Sequence, residues 1–265
     1  MQPQMPILDA HCHIYPDKIA CKAAKSIGDF YHIPMNLDGR VSTLLETGSK
    51  AGITRYLVHS VATSPAQVRS INEFLAEQVG LHSEFIGFGT LHPQSLHLKR
   101  DFEHLLELGL KGIKLHPDVQ QFDLDSEEAL RIYRLAEGRV PLLVHTGDHR
   151  YDYSHPRRLK RVMDAFEGLT VIAAHLGGWS MWEEAQNWLP GTKNLYVDCS
   201  SSLYALEPER ARELFEAFGM NHVLFGTDYP MWRPEEELQR LFQLHLAKED
   251  LQNILYGNAA ALLGL

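Results

Sequence analysis

Cysteine is scarce in this 265-residue chain. Cys12, Cys21 and Cys199 are odd in number and unpaired in spacing, which excludes a disulfide framework and reads as reduced thiols in a cytoplasmic setting. There is no run of Lys or Arg. With 34 acidic against 25 basic residues the formal charge is −9, a surface that repels a phosphate backbone and argues against nucleic acid as a partner. No apolar run is long enough to span a membrane, and the start, MQPQMPILDAHCHIYP, lacks the basic and apolar regions of a secretory leader. A Gly-rich phosphate turn after the first strand is also missing. His-Cys-His-Ile-Tyr-Pro stands there instead, which disfavours a doubly wound nucleotide-binding sheet. No composition shift, low-complexity tract or internal repeat marks a second domain.

Short β-branched or apolar runs alternate with helical ones. The expected strands are Ile7–His11, Arg55–Ser60, Phe85–Leu91, Gly112–Leu115, Pro141–His145, Thr170–His175, Leu195–Asp198 and His222–Thr227. Between them lie helical stretches such as Gln67–Gly80, with Ile71, Phe74, Leu75 and Val79 at helical spacing, and the chain closes with Pro234–Leu246 and Glu249–Leu263. Eight such units predict one (β/α)8 TIM barrel over residues 1–265. The long departure is Ile14–Gly52, a helical insertion between strands 1 and 2, which reads as either a lid or a plug.

What the chain has in quantity is histidine, 15 in all. His11 and His13 are two apart on one strand, so both imidazoles face the same way and can bite one metal ion, while Cys12 faces the other. The fourth strand ends Lys114-Leu115-His116, the fifth at His145, the sixth at His175 and the eighth at Thr227-Asp228. The C-terminal strand ends of such a barrel form its active-site face, so these residues converge in space. His59 and His92 read as packing or capping residues.

Together, His11-x-His13, Val144-His145-Thr146-Gly147-Asp148, Ala174-His175-Leu176-Gly177-Gly178, Gly226-Thr227-Asp228-Tyr229-Pro230 and the closing Ile254-Leu255-Tyr256-Gly257-Asn258-Ala259-Ala260 resemble the amidohydrolase superfamily. The branch that they resemble most includes aminocarboxymuconate semialdehyde decarboxylase. The resemblance implies that His11, His13, His145 and Asp228 hold a metal, with His175 beside it acting on water or substrate. Three imidazoles and a carboxylate suit zinc, with manganese or iron as alternatives. Two-metal relatives place a carboxylated lysine or a glutamate on the fourth strand. Here Lys114 stands on that strand, and the expectation is a single ion, with Lys114 held near Asp9 and His116 meeting substrate.

The expected enzyme is a hydrolase of a small amide, ester or lactone, using metal-activated water with Asp228 as proton shuttle and His175 stabilising charge. The alternative is a lyase, a non-oxidative decarboxylase of an aromatic or unsaturated acid. The chain is short for such decarboxylases, which favours hydrolysis. Tyr15, Trp179 and Tyr229 are among the aromatics expected at the mouth, pointing to a flat substrate. Arg150 either binds a substrate carboxylate or pairs with Asp152. Exposed apolar positions on the helices are compatible with a homodimer.

Overall fold

The structure, a computed structural model, describes residues 6–265; the polar start, residues 1–5, lies outside them. Eight parallel strands stand in sequence order, β1 (Leu8–His13), β2 (Arg55–His59), β3 (Phe85–Thr90), β4 (Gly112–Leu115), β5 (Leu142–Val144), β6 (Val171–Ala173), β7 (Leu195–Asp198) and β8 (Val223–Leu224). The ring closes through backbone hydrogen bonds from Ala10 N to Phe225 O (2.8 Å) and from His13 N to Tyr229 O (2.7 Å). Helices separate the strands, giving the (β/α)8 barrel that the alternation predicts.

Each strand buries both faces, as a covered parallel strand must. Leu8, Ala10, Leu57, Phe88, Leu143, Ile172 and Leu224 fill the barrel, and the larger cluster lies between strands and helices. The last helix, Asn258–Leu263, stoppers one end: Ala259 belongs to the inner cluster, and Leu262 packs against it. Glu249–Leu263 is not one regular helix, because a wide turn over Asn253–Gly257 interrupts it, and the helix expected to reach Leu246 stops at Phe242. Short helices at Pro117–Gln120 and Trp182–Trp188 complete the ring.

Strand β1 carries the decisive irregularity. It runs to His13 rather than stopping at His11, and its register against β2 shifts between Asp9 and Cys12. Leu8 and Ala10 point into the barrel, and strict alternation would send Cys12 there too. The shift reverses the phase. Cys12 joins the outer cluster, and the rings of His11 and His13 stand 5.3 Å apart on the mouth side.

Residues 14–52 form two helices, α1 (Asp17–Tyr31) and α2 (Val41–Ala51). The second packs as an ordinary barrel helix, with Gly48 so close to Tyr56 that a Cβ there would overlap the ring. The first lies beside the mouth on Ala20, Ala24 and Gly28, small residues that let it approach closely, and on Tyr31 in its last turn. It ends at His32, whose φ of 56° turns the chain away. Counted in chain order, the third helix, α3, spans Val68–Leu81 and the tenth, α10, spans Pro234–Phe242.

Candidate metal centre and active-site mouth

Three predicted ligands converge. Asp228 Oδ1 lies 3.4 Å from His11 Nε2 and 3.5 Å from His13 Nε2. The other carboxylate oxygen is held by Ser201 Oγ, which donates to Oδ2 at 2.5 Å and in turn accepts from Trp232 Nε1 at 2.8 Å. His145 stands across the mouth, where its Nδ1 is 3.1 Å from His175 Nε2, and His175 stacks on His11 at 5.0 Å. Asp228 and His175 both adopt the left-handed backbone region, with φ of 57° and 62°. Such conformations cost a non-glycine residue energy and persist where the surrounding fold enforces them, commonly at working sites.

The donor set fits a divalent cation. His11 Nδ1 donates to Asp198 Oδ2 at 2.9 Å, so its Nε2 offers a lone pair towards the Asp228 carboxylate. His145 Nε2 donates to the Gly147 carbonyl and His175 Nδ1 to the Ser200 carbonyl, both at 3.0 Å. The facing nitrogens of His145 and His175 are therefore both lone pairs. Acceptors that meet acceptors need a positive charge between them, an ion held by His145 or a proton on His175. Burial keeps the imidazoles neutral and able to ligate: it lowers His11 to about 4, helped by the Lys114 charge, and lowers His13 and His145 as well. Burial alone would raise Asp228, but His11, His13 and His175 around it hold its carboxyl well below the usual range.

Other assignments shift. Lys114 does not meet Asp9. Its Nζ lies 3.1 Å from His11 Nε2, and burial lowers it to about 8. Asp9 instead accepts from Thr227 N (2.9 Å), Thr227 Oγ1 (2.6 Å) and His11 N (3.1 Å), tying β1 to the loop after β8. His116 does line the cavity, as do Tyr15 and Trp179. Tyr229 does not: the left-handed backbone at Asp228 turns the chain there, and the Tyr229 hydroxyl donates to the Arg40 carbonyl at 2.6 Å. Arg150 also lies outside the cavity lining, and its partner is Asp148 rather than Asp152. Nε and Nη2 fork onto the Asp148 carboxylate at 2.9 and 2.7 Å, and Nη1 donates to the Phe30 carbonyl at 2.6 Å. Three of the five N–H groups of that guanidinium are thus taken by the protein, and it clamps the end of α1.

Four residues that the sequence reading did not assign belong here. Asp198 orients His11. His59, at the end of β2, is not a remote packing residue: its ring stands 4.3 Å from His13 and 4.9 Å from His11, and both its nitrogens lack partners. Tyr31, from α1, reaches His116 Nε2 at 2.7 Å and His145 Nε2 at 3.4 Å. Asp118 is buried without a hydrogen-bond partner, 3.7 Å from His145 Nε2, and burial pushes it up to about 7.

A family model described as Amidohydrolase (Amidohydro_2) matches residues 8–265. The chain belongs to this family. Its fold is shared by 5-carboxyvanillate decarboxylase from Sphingomonas paucimobilis, at 15% identity and a TM-score of 0.77, over 99% of this chain and 100% of that one. It is shared by a dihydroxybenzoic acid decarboxylase from Polaromonas sp., solved with manganese and 2-nitroresorcinol, at 17% identity and a TM-score of 0.76, over 99% and 98%. A probable 2-pyrone-4,6-dicarboxylic acid hydrolase from Acinetobacter baumannii follows at 14% identity and a TM-score of 0.70, over 98% and 99%.

These neighbours correct the expected activity. Beside two 2-pyrone-4,6-dicarboxylic acid hydrolases stand four decarboxylases of aromatic acids, which favours the lyase alternative over the expected hydrolysis of an amide, ester or lactone. The length argument for hydrolysis falls too, since this chain and the carboxyvanillate enzyme cover each other almost end to end.

Proposed function

We propose that the protein is a metal-dependent, non-oxidative decarboxylase of an aromatic carboxylic acid. The observation that carries this reading is the meeting of neutral imidazoles and the Asp228 carboxylate, acceptor against acceptor, at the mouth of a barrel whose fold is that of hydroxybenzoate decarboxylases. His11, His13, His145 and Asp228 would hold the ion, zinc or manganese, and when bound it supplies a positive charge for the substrate's carboxylate and a neighbouring oxygen.

The residues of this chain then divide the work. Asp228 is held well below the usual carboxylate range and so carries a proton poorly at neutral pH. The proton is assigned instead to His175, an imidazole beside the cluster. Its Nδ1 is held by the carbonyl and hydroxyl of Ser200, each 3.0 Å away, so that Nε2, left off the ion, is the atom that takes up a proton and passes it on. It delivers a proton to the ring carbon that bears the carboxylate. The bond from that carbon to the carboxylate carbon then breaks, its electron pair returns to the ring, and carbon dioxide leaves. Lys114 adds a buried positive charge on the same side. Trp179 gives a flat apolar wall, 7% exposed and edge-on to Tyr31.

No helix among the described residues is long and apolar enough to cross a membrane. The three free cysteines support a reducing, cytoplasmic location. The test is to incubate manganese- or zinc-loaded protein with 2,6-dihydroxybenzoate, 5-carboxyvanillate and related acids in deuterated water. Release of carbon dioxide, with one deuterium at the vacated ring carbon, is expected. Ring opening of 2-pyrone-4,6-dicarboxylate with no carbon dioxide from any of these acids would overturn the reading.

A further inference from the structure

The cavity is much larger than the reaction needs. Its volume is about 820 Å³. At a water's share of about 30 Å³ in the liquid, that is room for roughly 27 waters, in the range that holds drug-sized ligands rather than a single-ring acid. The space is one continuous chamber. It starts at the histidines and leaves the barrel between α1 and α3.

Sequence spacing explains the exit. Helix α1 has two apolar stripes. Ala20, Ala24, Gly28 and Tyr31 are buried against the barrel, whereas Ile19, Ala23 and Ile27, spaced i, i+4, i+8, line the chamber. Across from them α3 presents Ile71 and Phe74, one turn apart, which also line it and are only partly buried. Ile19 remains 45% exposed, although it sits on a helix that could have turned it inward. Polarity is graded along the passage: imidazoles and carboxylates at the floor, aliphatic and aromatic carbon in the middle, and Lys18, Lys22 and Glu77 at the outer rim. A compact, multiply hydroxylated acid would leave the middle section wet against apolar walls.

We propose that the substrate is an aromatic carboxylic acid bearing an unbranched apolar arm, with the acid head at the histidines and the arm lying between α1 and α3. This rests on the carboxylate-head reading above and adds the arm. Continuity of the passage with the reaction centre is what assigns it to substrate rather than to a second protein chain.

The test measures dissociation constants by calorimetry on the full-length, manganese-loaded protein with benzoate, 4-butylbenzoate and 4-butylphenol. Each fully buried methylene is worth about fourfold in affinity, so a partly buried butyl arm should tighten binding at least about tenfold over benzoate. Phe74→Ala should pull the butylbenzoate-to-benzoate ratio towards one by removing a wall, and Ala23→Trp should do the same by filling the passage. A ratio near one in the unaltered protein, or a ratio that neither variant moves, overturns the arm. Benzoate binding with such a ratio leaves the carboxylate head standing and removes only the arm. Butylphenol binding that depends on Phe74, with no binding of benzoate, supports the arm and removes the acid head. Failure of all three probes to bind overturns both.

Discussion

Asp198 at the end of β7 accepts the Nδ1 hydrogen of His11 on β1 at 2.9 Å, and this one contact decides which His11 nitrogen faces the mouth. Burial would raise the Asp198 carboxyl, but His11 and His175 beside it lower it to about 2, so it stays an acceptor at any pH in ordinary use. A carboxylate that fixes the tautomer of a ligating imidazole also raises its basicity. Asp198→Asn can present an amide N–H instead and turn the ring to the wrong tautomer. The expected result is a 10- to 100-fold loss of metal affinity by equilibrium dialysis, with the barrel still folded. Metal affinity equal to that of the unaltered protein would show that Asp198 only packs.

Tyr31 brings the insertion into the site. His116 Nδ1 accepts from Val119 N, which leaves Nε2 as the donor to the Tyr31 oxygen at 2.7 Å. His145 Nε2 is committed as a donor to Gly147. The phenol oxygen therefore accepts, and its own hydrogen is free for an anionic substrate. Tyr31→Phe keeps the ring against Trp179 and removes that donor. A hydrogen bond to a charged group is worth about 1.5–3 kcal/mol, so kcat/KM should fall about 10- to 150-fold while metal content stays at the level of the unaltered protein. An unchanged kcat/KM would confine Tyr31 to packing.

The histidines were legible because strand ends of a parallel barrel converge, and because residues two apart share a face. His11, His13, His116, His145, His175 and Asp228 follow from those two rules. The same rules also cover Asp198 and His59, which close β7 and β2, but an acidic strand terminus and a histidine inside an apolar run have ordinary structural readings too. Tyr229 was misplaced because β8 ends at Leu224 and the left-handed turn at Asp228, which has no mark in Gly226-Thr227-Asp228-Tyr229-Pro230, sends the phenol away from the mouth. The Lys114 contact was not legible. Whether it meets Asp9 or His11 depends on the register shift within β1, which leaves no mark in Leu8-Asp9-Ala10-His11-Cys12-His13. Tyr31 was hidden for a different reason: nothing local says that the last turn of an exposed, Ala-rich helix folds back over the mouth.

Glu237 on α10 gives a pH prediction away from the chemistry. Its side chain is fully buried, Arg240 bonds one oxygen and the other has no partner. Burial raises it from 4.5 to about 8 against the opposing pull of Arg240. A raised carboxyl means that the folded state holds the proton longer than the unfolded chain does. Its contribution is therefore intact below about pH 4.5 and is lost progressively as pH rises towards 8. Glu237→Gln removes that loss. The variant should melt at nearly the same temperature as the unaltered protein near pH 5, and roughly 5–10 °C higher near pH 8, a few kcal/mol of stabilisation. A gain that is the same at both pH values would mean that the carboxyl is ionised throughout.

His145 and His175 face each other at 3.1 Å, and only one of them needs to ligate. The roles proposed here make His145 the ligand and His175 the proton donor. The orientation of His175 supports this: two contacts from Ser200 hold its Nδ1, a tether suited to a side chain that gives up and recovers a proton without leaving its place. His145 instead lies against His116, ring on ring at 4.0 Å and 7°, with little room to turn. His145→Ala should purify with well under half an equivalent of metal. His175→Asn should keep a full equivalent and lose about 10²–10⁴-fold in turnover, the range for removing a general acid. Metal content by elemental analysis, read side by side on the two variants, separates the assignments. A metal-free His175→Asn beside a loaded His145→Ala would exchange the roles and move the ligand from the end of β5 to the end of β6. Loss of metal in both would make His175 a fifth ligand and leave the proton to another group, of which Asp118, raised by burial to about 7 and 3.7 Å from His145 Nε2, is the nearest buried carboxyl able to hold one.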